Sequence, residues 1–582
     1  MNRGVLACGI AVTGCVERVQ LDRDDLPGLV AIEVSPGDDT VTLVLPGTPQ
    51  TLAYRATGRF AGGEARDITD GVEWTVDNRF PGSLAAGGLY TTSNAAAGHV
   101  AIRASHRDIT GAAALTVAIT AVVVDDSFPP PAGAADLFAP GTPVVTDANR
   151  APAILYPSDA TVFPQGMAQI LFQYRAGMMT DAFRLAFDSD VLHLQVLSGT
   201  DRWRPDASTW ALLEQSHPGA SARFEVDAAS SAAPGMIFSG APASLGFASG
   251  AASGALYYVA AGGILRGELA QPVAAKLYPQ AGDNARVAAP SISLDGTTMA
   301  LAYNDSLRTL DLATLNPITT AAGPIGSTAL SPDGGLVVVA NMGMLQLRDA
   351  RTGDGVGAPD GRVMLGAMAT HPDWSPDGKA LAVAVGTKVT NTDLKAGSIA
   401  RVPYLGNGQW GAPQVLVAST GDMDNNFFPR WSPDGAAIAY VHTAGPIGDP
   451  SAELRIVPAG GGSPAVLQRA SHRVALDDVP GLASSMPAWA QTSAGTMWLA
   501  FVSGRPYGAV RPMPGGGQIW ISAIDPARLG GGDPSAAAFW VPAQDVTTAG
   551  ASPAWAPATP PVIEIARSRL PVIPVRDGQL LQ

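Results

Sequence analysis

Apolar and polar positions alternate with period two in short runs: Val30 to Val34, Thr40 to Leu45, Val72 to Val76, His99 to Ala104 and Ala114 to Ala118. Glycine and proline punctuate them, which predicts half-buried strands joined by turns. Val100, Ile102 and Ala104 then share one face, as do Leu115 and Val117, the spacing that fills the interior of a two-sheet sandwich. One β-sandwich is expected over residues 28–118. A proline-bearing connector over 119–150, with Pro129-Pro130-Pro131, leads to further strand-like runs at Ile154 to Tyr156, Gln169 to Tyr174, Phe183 to Phe187 and Val191 to Leu197. These predict a second sandwich-like unit over 151–254, of which 228–254, rich in Ala, Ser and Gly, reads as linker or irregular loop.

From residue 255 the pattern changes to a repeat of turn chemistry. Leu330-Ser331-Pro332-Asp333-Gly334, Trp374-Ser375-Pro376-Asp377-Gly378 and Trp431-Ser432-Pro433-Asp434-Gly435 are near copies, each followed by an apolar run. Weaker copies stand at Ile292 to Gly296, Pro487 to Ala490 and Pro553 to Ala556. Proline sets φ, aspartate accepts backbone hydrogen bonds and glycine takes the left-handed conformation, so each copy is strand, tight turn, strand. Asp295, Asp333, Asp377 and Asp434 are accordingly assigned to structural turns. The steps between them are 38, 44 and 57 residues, room for a four-stranded blade plus loops. Six copies predict six sheets. Only 27 residues follow Trp555, whereas the runs Leu256 to Val259, Ile264 to Leu269 and Ala274 to Tyr278 supply three strands lacking an inner partner. Closure is therefore expected between the strand around Pro553 to Ala556 and the sheet begun near Leu256, with Val562 to Ala566 as the competing closing strand.

These repeats resemble those of TolB-like propellers, with their Pro-x-Trp-Ser-Pro-Asp-Gly pattern. Residues 28–118, through Ile32-x-Val34-x-Pro36, Asp67-Ile68-Thr69, Val72-Glu73-Trp74, Gly88-Leu89-Tyr90, Gly98 to Ala104 and Leu115-Thr116-Val117, resemble bacterial Ig-like domains of group 2. The resemblances imply an all-β protein: two β-sandwich (Ig-like) modules followed by a six-bladed propeller over 255–582. Propellers of this kind serve as binding platforms, enzyme accessory domains and occasionally enzymes, so the likeness speaks to fold more than to activity.

Composition narrows the partners. The chain of 582 residues has 36 basic and 50 acidic side chains, a net charge of −14, which opposes binding to nucleic acid or to anionic lipid headgroups. Its 66 glycines and 48 prolines favour turns over long helices. Both cysteines lie at the start, Cys8 and Cys15, which leaves the body without a disulfide or a cysteine-ligated zinc. Arg3, an uncharged stretch from Gly4 to Gly14, and Cys15 form an export pattern. Val12-Thr13-Gly14-Cys15 looks like a bacterial lipobox, which implies a lipoprotein signal peptide over 1–15, a lipidated Cys15 and a tether over 16–27. The expected location is the cell envelope, on the periplasmic face or the cell surface, with the membrane met only through acyl chains.

Candidate chemistry concentrates in the loops that lead into the innermost strands. Asp422, Asp424, Asn426, Phe427 and Arg430 form one cluster, and His371 and Asp373 occupy the equivalent place one blade earlier. Asp422, Asp424 and Asn426 alternate oxygen donors as calcium loops do, without the glycine and terminal glutamate of an EF-hand. No cofactor or metal is assigned; calcium is the one ion that this pattern suggests. The seven histidines are scattered without a His-Glu-x-x-His motif, and neither a Gly-x-Ser-x-Gly elbow nor a Walker loop occurs. Where similar exported proteins carry Cys-x-x-Cys-His for haem, this chain has Arg286-Val287-Ala288-Ala289-Pro290. No catalytic residue is assigned. The leading expectation is an interaction platform for an envelope protein, peptide or glycan; the alternatives are a propeller hydrolase or lyase acting on glycan or peptide through carboxylates such as Asp422 and Asp424, and an adhesive stalk with an inert cap.

Overall fold

The computed structural model describes residues 26–279, 285–358, 360–391, 393–471, 483–490, 495–513, 516–542 and 544–557. The signal peptide, Cys15, most of the tether and the competing strand at Val562 to Ala566 lie outside the described residues. The chain divides into two compact units that meet between Thr120 and Ala121.

In the first unit, antiparallel sheets follow the alternation in the sequence. Gly98–His106 pairs with the strand that begins at Ile109, and Leu29–Ser35 pairs with Arg55–Phe60. Thr51–Ala53, Leu89–Thr92 and Gly82–Leu84 form a further sheet. The side chains expected to face inward, Val100, Ile102, Ala104, Leu115 and Val117, are buried together with Tyr54 and Tyr90.

The second unit opens with a sheet ordered Thr161–Phe163, Ala243–Phe247, Ser221–Ala229, Ala182–Asp188, Leu192–Ser198, and a three-stranded sheet of Ala153–Tyr156, Phe172–Arg175 and Arg202–Trp203. Two features depart from the sequence reading. Ala243–Phe247 lies in the stretch expected as linker, where it joins the sheet between Ser221–Ala229 and, in parallel, Thr161–Phe163. A helix, Ala207–Ser216, starts at Asp206, whose carboxylate accepts from Thr209 N at 2.8 Å, and buries Trp210, Leu212 and Leu213. Phe172, Phe187, Phe224 and Trp203 form the aromatic core, with Phe187 and Phe224 stacked at 4.8 Å.

This module is packed against the ring that follows. Tyr156 Oη accepts from Trp540 N at 3.1 Å, and the Gln173 carboxamide donates to Tyr507 O at 3.3 Å and accepts from Ala509 N at 3.1 Å. Phe163 meets Phe539 at 5.6 Å. Thr161 also bridges Ala537 in parallel, so the module covers the outer side of one blade.

The ring holds six antiparallel sheets. Blades 1 to 5 start from the inner strands Val287–Ile292, Ser327–Leu330, Met368–Trp374, Asn425–Trp431 and Ser484–Trp489. Blade 6 joins the chain's two ends: Gly550–Ala556 is the inner strand, and Ala255–Ala260, Gly263–Gly267 and Ala275–Tyr278 complete it. Leu256 pairs with Trp555, which is the closure expected from the count of strands. Each inner strand packs on the next, and the sixth returns to the first, so the structure is a closed six-bladed propeller.

The repeated corners act alike. In blade 3, Ser375 Oγ donates to Asp377 Oδ1 at 2.6 Å and accepts from Ala380 N at 2.9 Å, while Asp377 Oδ1 accepts from Lys379 N at 3.1 Å. Ser293/Asp295, Ser331/Asp333 and Ser432/Asp434 repeat the serine-aspartate bond. The Ser331 and Ser375 hydroxyls, with backbone donors, hold the carboxyls of Asp333 and Asp377 below the usual range.

Candidate functional site

Five inner strands share a local device. Ala289, His371, Phe428, Met486 and Ser552 adopt left-handed φ of 47° to 52°, and each precedes a proline: Pro290, Pro372, Pro429, Pro487 and Pro553. Each strand's pairing slips at this point, as a bulge requires, and the proline, with no N–H to give, sits where the ladder is interrupted. Blade 2, with Ser327-Thr328-Ala329-Leu330, pairs without a slip. The residue after the bulge proline lines the propeller axis, and the one after that opens the turn.

These positions build an axial cavity of about 150 Å³ at the turn end of the ring. Its wider wall is one residue per blade: Ile292, Leu330, Trp374, Trp431, Trp489 and Trp555. The next level is Ser291, Ala329, Asp373, Arg430, Ala488 and Ala554. Asp373 and Arg430 are therefore the same register position in adjacent blades, and among the described residues they are the only charged side chains in the lining.

Arg430 Nη1 stands 3.7 Å from Asp373 Oδ1, a loose contact. Asp373 Oδ2 accepts from Trp431 N at 2.8 Å, and Arg430 Nη1 donates to Pro429 O at 3.3 Å. Burial pushes the Asp373 carboxyl up to about 6, against the opposing pull of Arg430 and Trp431 N. The indoles of Trp374, Trp489 and Trp555 donate to Ala329 O, Arg430 O and Ser253 O at 3.2, 3.1 and 2.8 Å. The buried Trp431 Nε1 has no protein acceptor among the described residues. The cavity thus offers an aromatic wall, a partly satisfied guanidinium, one carboxylate and a spare indole donor.

The structure distributes the sequence-predicted residues over different places. Only Asp373 and Arg430 reach the cavity. His371, in the bulge, is buried against Phe428 at a ring distance of 3.9 Å; burial and the nearby Arg430 push its pKa down to about 3, so it is a neutral imidazole. Phe427 is fully buried. Asp422, Asp424 and Asn426 lie where blade 4's inner strand begins, the end opposite the turns. There Asp424 Oδ2 accepts from Thr420 N and Oγ1, both at 2.9 Å, and Asn426 Nδ2 donates to Gly397 O at 2.9 Å. Burial opposes ionisation of Asp424, but the Thr420 and Asn426 hydrogen bonds outweigh it and lower its pKa. Asp422 is exposed, 4.0 Å from Lys395 Nζ. The loop brings Asp424, Asn426 and His442 together and leaves Asp422 apart. Among the described residues, no group of three or more His, Cys, Asp or Glu side chains is placed to hold a metal ion. The ring of indoles went unread as a site because each tryptophan looks like part of a turn; the signal was the x-Pro-x-Trp repeat, whose third position faces the axis.

No family model and no curated protein sequence matches the chain. Among solved structures, TolB from Acinetobacter baumannii is similar at 17% identity over 52% of this chain and 67% of that one, with a TM-score of 0.35. A putative TolB from Agrobacterium tumefaciens is similar at 16% identity over 52% of this chain and 98% of that one, TM-score 0.32. The dihydro-haem d1 dehydrogenase NirN follows at 17% identity over 50% of this chain and 54% of that one, TM-score 0.30. Among the described residues no helix is long and apolar enough to cross a membrane.

Proposed function

We propose that this chain is an envelope protein whose propeller is an interaction platform, with the axial cavity at the turn end as the contact site for a segment of a partner protein or peptide. The observation that carries the reading is the placing of Asp373 and Arg430, loosely paired, inside a wall of four indoles and two aliphatic side chains. Aromatic and arginine side chains in a concave, partly dry setting are the usual anchors of protein contacts. Anchoring through Cys15 and a periplasmic or surface location rest on the lipobox-like start of the sequence.

The competing readings fare less well on the same geometry. A hydrolase or lyase acting on glycan or peptide through a carboxylate pair needs two carboxylates facing one substrate. The cavity lining has one, and Asp422 and Asp424 sit at the other end of the ring. An inert cap has no use for a charged pair held inside an axial cavity.

The test is to fill the cavity. Ala554 lines it and is half-buried, so Ala554→Trp should occupy it while leaving the blades intact. Envelope extracts are passed over the full-length protein and over the variant. Partners retained by the parent and lost from Ala554→Trp support the site; the same partners retained by both would remove it. Replacing Cys15 with Ser should move the protein out of the membrane fraction, and retention there would defeat the anchor.

A further inference from the structure

The seam between blades 3 and 4 departs from its neighbours. Counted from the serine of each corner, Ala300, Val338, Ala382 and Ala439 hold one register position in blades 1 to 4, and their partners on the next strand are Thr309, Leu347, Arg401 and Ile456. Thr309, Leu347 and Ile456 are buried and uncharged, and Leu347 packs in one cluster with Trp374 of the following blade. Arg401 therefore puts a guanidinium where the pattern calls for an uncharged side chain.

The tryptophan at the same seam is irregular too. Trp374 and Trp489 each donate from Nε1 to the carbonyl just before the wall residue of the preceding blade, Ala329 O and Arg430 O. By that rule Trp431 would donate to Asp373 O, yet its Nε1 is buried and meets no acceptor among the described residues. Arg401 Nε is buried and without an acceptor in the same way. Buried donors left unmet are rare because stripping them of water is costly, so two at one seam call for an acceptor brought from outside.

Room for that acceptor is present. Arg401 and Trp431 line a crevice of about 360 Å³ between the two corners, with Asp377 and Asp434 also in its wall and the small Ala459 and Gly460 leaving it open. That is the size of a small-molecule site. Trp431 also lines the axial cavity, so one indole is shared by two separate spaces.

We propose that this crevice binds the carboxylate of a small ligand, received by the Arg401 guanidinium and Trp431 Nε1. Both groups only donate, so the ligand must bring acceptors, and a planar carboxylate matches the fork of a guanidinium. The two aspartates set how much charge is admitted. Both are exposed, and Asp377 Oδ2 stands 3.9 Å from Lys379 Nζ, so water and the lysine screen them enough to accept one negative charge while they oppose a doubly charged phosphate. A free small acid and the C-terminus of a peptide both carry this group.

The probes are acetate and N-acetylglycine, with N-acetylglycinamide as the uncharged control, titrated at constant ionic strength into the full-length protein with 15N-labelled tryptophan. The eleven indole N–H signals are read by NMR, and Trp431→Phe identifies the one that matters. N-acetylglycine should shift the Trp431 signal to saturation, the amide should leave it in place, and phosphate should not displace the acid. A response to acetate as well assigns the free acid; a response to N-acetylglycine alone assigns a chain terminus. Arg401→Leu, which gives blade 3 the residue type of blade 2, and Arg401→Gln should each weaken binding roughly tenfold or more, with circular dichroism matching the parent. Ala554→Trp, which fills the axial cavity, should leave this binding unchanged, so the crevice and the axial site fail separately. No response at Trp431, an equal response to the amide or to phosphate, binding retained in both Arg401 variants, or binding lost from Ala554→Trp would each overturn the proposal.

Discussion

Replacing Asp373 with Asn isolates the electrostatics of the axial cavity. In the folded protein the Asp373 carboxyl titrates near about 6, raised from 3.8 chiefly by burial. The folded state then binds this proton more tightly than the unfolded state does, so between pH 4 and pH 6 stability falls as pH rises. At 1.36 kcal/mol per pKa unit the full difference is about 3 kcal/mol, and solvent access to part of the side chain brings the expected loss to about 2–3 kcal/mol. Asparagine keeps the size and an acceptor for Trp431 N but has nothing to titrate. Loss of the partner of Arg430 shifts the variant's stability by an offset, whereas the slope reports Asp373. Urea unfolding, followed through indole fluorescence at intervals from pH 4 to pH 7.5, gives the difference between parent and variant. That difference should change by about 2–3 kcal/mol across the window in favour of the variant at high pH. Parallel curves would refute the reasoning and show that Asp373 titrates in the cavity as it does in water.

Two further outcomes follow from the structure. Ser375→Ala removes a hydroxyl that donates to Asp377 and accepts from the buried Ala380 N, so the propeller should lose about 1–3 kcal/mol in urea unfolding, with Ser432→Ala behaving alike. Glu214, buried on the helix Ala207–Ser216, accepts from Gly166 N at 3.0 Å and is pushed up to about 7 by burial. Its stabilising effect is complete below pH 4.5 and is lost as pH rises through 7, so Glu214→Gln should match the parent at pH 4.5 and exceed it by about 2–3 kcal/mol at pH 8, read by the same unfolding curves.

What the sequence disclosed was whatever local chemistry repeats. Serine, proline, aspartate and glycine at the blade corners satisfy one another within five residues, so Asp333 or Asp377 could be placed without knowing the neighbours. The closure between Leu256 and Trp555 followed from counting strands. Ala243–Phe247 was missed because its composition is that of a loop, and it becomes a strand only between two partners that lie far from it in the chain. The helix carrying Trp210 has a readable start in Asp206 and Thr209, set among segments whose composition favours strands. In the sequence Asp373 and Arg430 read as loop residues leading into the axis. Their pairing depends on the bulges that turn equivalent positions of adjacent blades toward one cavity, which the one-dimensional pattern hides. The same loop reading placed Asp422 and Asp424 beside them, although the inner strand separates those aspartates from the cavity by its whole length.

The joint that closes the ring also dictates when the ring can form. Ala255–Ala260 leaves the ribosome roughly 290 residues before its neighbour Gly550–Ala556 exists. At about 5–20 residues per second, that interval lasts roughly 15 to 60 s, during which the edge of the first-made sheet has no partner. Pairing across so long a stretch of chain is slow, and an uncovered strand edge invites wrong partners. The order of synthesis therefore makes blade 6 both the first blade begun and the last one finished, and a holding chaperone would be needed most in that interval.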